Sequence, residues 1–228
     1  MLDTILDQYP TSEYGACVAK RPDIPAPELR YEAHDIKGRH GSLIEEDAFD
    51  DIEFSVEYNM LEDFNVKPLI RQLRGYFFGK KTLRFSDDDV FYKIKHISID
   101  ETDNQIAEYG YFTVTFRCDP FTYNLNSEFE IMTSGQTILN RGTFASEPYI
   151  KVNGSGDITL TINNDNIYLY DVVGYVEIDS QDEEYHKDFL PIENGMAGEF
   201  PMFEVGDNTI FWTGSVTSLE IDGRWRFI

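Results

Sequence analysis

Cysteine is scarce in this chain: its 228 residues hold two, Cys17 and Cys118, set far apart. That excludes a dense disulfide framework and points to synthesis in a reducing compartment. Long apolar runs are missing too, since no stretch approaches the roughly 18 residues of a membrane span. The opening Met1-Leu-Asp-Thr-Ile-Leu-Asp7 has neither the basic start nor the continuous apolar stretch of a signal peptide, so a soluble chain with no readable address is expected. Positive charge is thin, with 19 Lys and Arg against 42 Asp and Glu and a net charge of −23. A nucleic-acid-binding surface needs a basic footprint, so sequence-specific nucleic-acid binding is excluded, and an anionic membrane would repel the chain. The acidity is spread evenly, with 14 basic and 26 acidic residues up to residue 133 and 5 and 16 after it. Such a distribution serves solubility and suppresses non-specific association.

Residues that do chemistry are equally thin. Of the four histidines His34, His40, His96 and His186, none lies in an His-Glu-x-x-His pattern or beside a spaced cysteine pair. His34 and His40, with Asp35 and Asp47 near in sequence, form the best candidate cluster for acid/base or metal work, and a solvated loop explains them as well. Asp87-Asp-Asp89 and Asp182-Glu-Glu184 lack the spacing and glycine of an EF-hand and read as solvated turns. Gly154-Ser155-Gly156 lacks the spacing of a nucleophile elbow. Carboxylate pairs arise by chance in so acidic a chain and nominate no glycosidase. The expectation is no catalytic, metal or cofactor site, and no enzyme.

What the chain has is β-pattern. Aromatic residues are enriched, with 17 Phe and 14 Tyr, and they suit half-buried pleated surfaces. Ile52, Phe54, Val56 and Tyr58 alternate with polar residues, as do Phe112, Val114, Phe116 and Cys118, so each set predicts a strand with one buried face. Cys118 then behaves as a small core residue. One helix is predicted from Asn65, with Leu69, Ile70, Leu73, Tyr76 and Phe77 as its apolar stripe, Asn65 as cap, Pro68 in the first turn and Gly79 as stop. Residues 1 to about 50 read as irregular, with an extended segment through Leu29 and Tyr31 and a long loop from His34 to Asp50. A polar connection over 100–108 follows the strand 90–99, and a strand 109–118 follows that. Residues 119 to about 135 are weakly periodic, which places a domain boundary there and gives domains 1–133 and 134–228. The second reads as a β-sandwich with tight turns at 153–157 and 163–166 and later strands at 172–178, 200–205, 209–212, 216–221 and 224–228. Trp212 and Trp225 fall in these strands and suit its core better than a ligand platform. The fold class expected is mainly β, with a single helix in the first domain.

The order of several motifs resembles the distal tail (Dit-type) proteins of long, non-contractile-tailed bacteriophages and their prophages. Gly38-Arg-His-Gly41 looks like the family's Gly-Arg-x-Gly, followed in order by the strand at Ile52, the helix carrying Arg71 to Phe78, Leu83-Arg-Phe85 and Phe116-Arg-Cys-Asp-Pro-Phe121. The second half adds Glu147-Pro-Tyr-Ile-Lys-Val-Asn-Gly-Ser-Gly156, Glu177-Ile-Asp179, Gly198-Glu-Phe-Pro201, Gly206-Asp-Asn208 and the closing Arg-Trp-Arg.

The resemblance implies a tail-tube-like belt domain that closes a hexameric ring and a galectin-like C-terminal sandwich. It also implies a place in the virion tail between the tail tube protein and the tip, baseplate, receptor-binding or tail-associated lysin proteins, with DNA passing through the lumen. Residues 29–58 and 109–118 are the expected ring contacts. A rival reading, a module binding host cell-wall carbohydrate, would use a His-x-Asn-x-Arg stretch and a Trp-Gly-x-Glu turn. This chain has Phe211-Trp-Thr-Gly214 and no such histidine.

Overall fold

The computed structural model describes residues 2–60, 66–100 and 110–228, and it is mainly β, with curled sheets and one α-helix among those residues. The expected Asn65 cap, the connection 101–108 and Tyr109 lie outside the described residues. The chain divides into two compact units, residues 1–122 with 228, and residues 123–227. The division falls ahead of the boundary at 133 read from the sequence. Glu128–Ile131 explain the difference: they form a strand paired with residues 219–222, which ties them to the second unit.

The first unit runs β1 (Thr4–Leu6), β2 (Tyr9–Pro10), a 3-10 turn (Thr11–Tyr14), β3 (Ala16–Val18), β4 (Leu29–His34), β5 (Leu43–Phe49), β6 (Ile52–Met60), α1 (Val66–Phe77), β7 (Thr82–Phe85), β8 (Val90–Ile99) and β9 (Tyr111–Asn124). Its main sheet has the order β2-β1-β7-β8-β9-β6-β3, while β4 and β5 pair only with each other. The alternation read from the sequence sets the β6–β9 register: Ile52, Phe54, Val56 and Tyr58 face Cys118, Phe116, Val114 and Phe112. All eight are buried, and Glu53, Ser55 and Glu57 point to the other face. Helix α1 lays Leu69, Leu73, Tyr76 and Phe77 on this core. The Phe77 ring meets Tyr58 and Phe112 edge-on at 5.5 and 6.1 Å. Each such side chain contributes about 1.5–3 kcal/mol by leaving water. Gly79, at φ 75°, turns the chain out of the helix in the left-handed region.

In this unit the hydroxyls of Thr4, Thr11, Tyr58 and Tyr76 form one network. Thr4 Oγ1 lies 2.9 Å from Tyr58 Oη and 2.7 Å from Thr11 Oγ1, and Tyr76 Oη donates to the Tyr9 carbonyl at 2.6 Å. This network fastens β1 and β2 within a segment expected to be irregular, because strands this short show no period. The loop expected from His34 to Asp50 holds a second strand, β5. It has no buried face, so no alternation announced it.

The second unit runs β10 (Glu128–Ile131), β11 (Gln136–Asn140), β12 (Tyr149–Ile162), β13 (Asp165–Asp179), β14 (Glu184–Lys187), β15 (Leu190–Pro191), β16 (Met196–Ala197), β17 (Gly206–Asp222) and β18 (Arg226–Phe227). β12 is central, paired with β13 and β17 over most of its length. Asn163 at φ 55° makes the tight β12–β13 turn expected over 163–166. No turn occurs at 153–157. β12 continues through it with shifts of register, because Gly154 lets the β17 backbone approach: a Cβ there would sit 2.4 Å from the Ser215 carbonyl oxygen. The strands read at 209–212 and 216–221 likewise merge into β17, and 200–205 contributes one bridge, Phe203 to Ser146. Trp225 is buried against Phe203 and Phe129, and Trp212 packs half-buried on the same core.

Candidate assembly interface

The β4–β5 hairpin is the most exposed ordered part of the first unit: every residue from Arg30 to Ala48 is open to solvent. Its root is firm. Leu29 pairs with Phe49, whose ring meets Phe121 at 5.9 Å, and the Asp50 N–H donates to the Glu28 carbonyl at 2.9 Å. Arg30 sits 3.2 Å from Asp47 and 3.4 Å from Asp50. Next to the root, Asp51 accepts from Lys95 at 2.5 Å and from Arg117 at 3.0 Å, and the Lys95 bond foremost holds the Asp51 carboxyl below the usual range. Beyond the root, Tyr31 and Ile44 are 63% and 49% exposed, so the arm carries apolar surface that its own chain leaves uncovered.

A second open feature lies on β6. β3 pairs only with Tyr58, Asn59 and Met60, and Ala19 donates to the Glu57 carbonyl. Among the described residues no strand pairs with that edge over Ile52–Val56, which leaves backbone donors and acceptors available for strand addition.

The residues singled out for chemistry scatter. His34 Nε2 lies 3.1 Å from Glu45 and 3.7 Å from Glu32, on the exposed hairpin. His40 is exposed at the hairpin tip, Asp35 is exposed beside it, and Asp47 serves Arg30 at the root. His96 is exposed on β8, and Asp87 pairs with Arg21 in an exposed turn. Ser155 is exposed within β12, Asp182 and Glu183 are exposed between β13 and β14, and Glu184 is exposed at the start of β14. Among the described residues no group of three His, Cys, Asp or Glu side chains could hold a metal.

His186 is the exception in burial. It lies in the second unit, 7% exposed, with Nδ1 3.2 Å from Glu177 Oε2 but off the axis of a hydrogen bond. Tyr149 Oη donates to the other Glu177 oxygen at 2.5 Å. Burial, then that carboxylate, pushes the Tyr149 hydroxyl well above its ordinary range. Neighbouring Asp179 takes two bonds from Arg224. Sequence reasoning missed this polar layer, since Tyr149, Glu177 and Asp179 meet through β12–β13 pairing and Arg224 reaches them from the segment between β17 and β18. Period-2 alternation around Ile150 and Ile178 was the available signal that Tyr149, Glu177 and Asp179 share one face.

Residues 18–118 match the family model described as the phage tail protein RIFT-related domain. This span contains the hairpin, β6, α1 and most of β9. Over that span, 101 of the 228 residues, the chain is similar to a phage tail domain. The whole chain shares its fold with the Dit protein of phage SPP1: the two align over 100% of both chains, at a TM-score of 0.71 and 14% identity. That crystal structure is described as a paradigm of the hub adsorption apparatus in phages infecting Gram-positive hosts. A chain of the phage P2 baseplate in its activated, Ca-bound conformation aligns over 97% of both chains at a TM-score of 0.55 and 10% identity. No curated protein matches the chain by sequence.

Proposed function

We propose that the chain is a structural, non-enzymatic adaptor of a phage tail, a ring of six copies joining the tail tube to the tip, baseplate or receptor-binding proteins. The observation that carries this reading is the uncovered hairpin within the span similar to a phage tail domain. An isolated two-stranded hairpin is marginally stable in water, and one exposed at every residue from Arg30 to Ala48 gains most from a neighbouring surface. The unpaired β6 edge offers the complementary means of closure by strand addition. The fold shared with the SPP1 Dit protein and the P2 baseplate chain supports the same place in a virion. The net charge of −23 suits a lumen that DNA must traverse without sticking.

Negative-stain electron microscopy of the purified protein over a range of concentrations tests the reading. Six-membered rings with an open channel are expected. Monomers throughout, with no ring contacts in a solved structure, would overturn it, and a strongly basic lumen would overturn the role assigned to the acidity.

A further inference from the structure

Between β3 and β4 the chain runs as a proline-rich strap, with Pro22 and Pro25 roofing a cavity of about 130 Å³. Its floor is aromatic. Phe54 and Tyr92 have ring centroids 5.1 Å apart, and Phe85 meets Tyr92 edge-on at 6.4 Å. The rim is acidic, made by Asp23, Asp87 and Asp88. Arg21 answers Asp87 alone, at 2.5 Å. Asp23 and Asp88 have no cationic partner among the described residues, and Asp88 Oδ1 accepts only the N–H of Asp89. A cavity of this size lies below the roughly 300–1,000 Å³ of small-molecule sites and fits a single side chain. An aromatic floor under unpaired carboxylates selects a cation, above all a guanidinium, which stacks on a ring while its edge bonds carboxylate oxygens.

The hairpin tip is the complementary object. Residues 36–42 include Lys37, Arg39 and His40 and no acid, all exposed, and neither Lys37 nor Arg39 forms an ion pair among the described residues. The tip is shaped by backbone: the Arg39 N–H donates to the Ile36 carbonyl at 3.1 Å, with Gly38 and Gly41 at φ 87° and 78°. The tip does not fill its own chain's pocket: none of residues 36–42 lines it. The paired ladder from Leu29 to His34 carries the tip about 17 Å beyond the hairpin root.

We infer that Arg39 of one copy inserts into the strap pocket of a second copy, stacking on the aromatic floor and bonding Asp23 and Asp88. This rests on the ring reading and adds its contact chemistry: the hairpin tip is a cationic plug, and the strap pocket is its socket. Lys37 stays at the rim, where a solvated charge contributes little.

The test uses the full chain and measures assembly against concentration by mass photometry, with circular dichroism and thermal melting to confirm folding. Arg39→Asp and Asp88→Arg should each raise the concentration for half-assembly by about tenfold or more, and the double exchange should recover most of the loss. Lys37→Asp should change it far less. Arg39→Cys with Asp88→Cys should cross-link copies through a bis-maleimide about as long as the arginine side chain it replaces, while Cys17 and Cys118 are buried and out of play. If Arg39→Asp forms rings as well as the wild type, the plug is wrong and the ring reading stands. A double exchange as defective as the single ones, without a cross-link between copies, also overturns the plug. A wild-type chain that never assembles overturns both.

Discussion

Arg224 grips Asp179 through two parallel hydrogen bonds, Nη1 to Oδ1 at 2.7 Å and Nη2 to Oδ2 at 2.8 Å. The same carboxylate accepts the N–H groups of Gln181 and Asp182, and the guanidinium lies over the Tyr149 ring at 5.8 Å. The pair therefore locks the turn after β13 to the segment between β17 and β18. Its side chains are only 21% and 12% exposed, so removing one partner leaves a charge poorly solvated. Asp179→Ala should cost about 3 kcal/mol, read as a lower denaturant midpoint at unchanged slope. A loss no larger than that of a surface substitution would refute this.

The pair also sets a pH dependence. Burial by itself favours the neutral Asp179, but the Arg224 bonds and the turn N–H groups outweigh it and hold the carboxyl below its ordinary range. Asp51 is lowered too, first by its bond from Lys95. For a depressed carboxylate, the stabilisation is fully present above the unfolded pKa of about 3.9 and is lost as pH falls through the folded value. Melting temperature should therefore be level near neutrality and drop steeply below about pH 4. Arg224→Met should flatten part of that acid limb, and equal slopes in the two proteins would contradict the assignment.

Much of this was legible in the sequence, for a physical reason. Elements that bury one face carry a period, so β6, β9 and the stripe of α1 were read nearly residue by residue. β5 was not, because a strand exposed on both faces needs no alternation. At Gly154 and Gly214 the signal itself was ambiguous: glycine marks both reversals and close backbone approach, and only the β12–β17 pairing chose between them. The interface suffered most. Gly38-Arg-His-Gly41 stands out as a motif, but the strap pocket joins residues from β6, β7 and β8 that no spacing connects.

That ambiguity makes the glycines testable. Gly214 sits at φ 97°, and a Cβ there would lie 2.5 Å from the Asp157 carbonyl oxygen. Gly214→Ala thus combines backbone strain with a clash against an atom that cannot rotate away, and should cost roughly 2–4 kcal/mol. Gly156, with nothing within 4 Å of its would-be Cβ but φ 75°, should lose only about 1 kcal/mol on the same change. Chemical denaturation of the two variants compares them directly, and equal losses would show that close approach is not what Gly214 serves.

Both cysteines are core residues, with Cys118 fully buried and Cys17 6% exposed. Burial pushes the Cys118 thiol up to about 12 and raises Cys17 as well, so neither offers a thiolate at neutral pH. A thiol reagent such as DTNB should label neither in the native protein and both after denaturation. Rapid labelling of native protein would show that the β6–β9 layer opens more readily than its packing implies.

The hairpin gives the sharpest separation of stability from assembly. Tyr31 and Ala33 share a face of β4, and Ala33 lies opposite Ile44, so Tyr31 and Ile44 present one largely exposed apolar strip. Removing buried apolar surface costs stability, but removing exposed surface does not. Tyr31→Ser with Ile44→Ser should therefore leave the melting temperature of the unassembled chain within the spread of surface substitutions, about 0.5 kcal/mol. The same double variant should shift ring formation to higher concentration, because the strip then has nothing to bury against a neighbour. Melting and mass photometry on one preparation give both readouts. Destabilisation without a shift in assembly would mean that the hairpin serves its own chain.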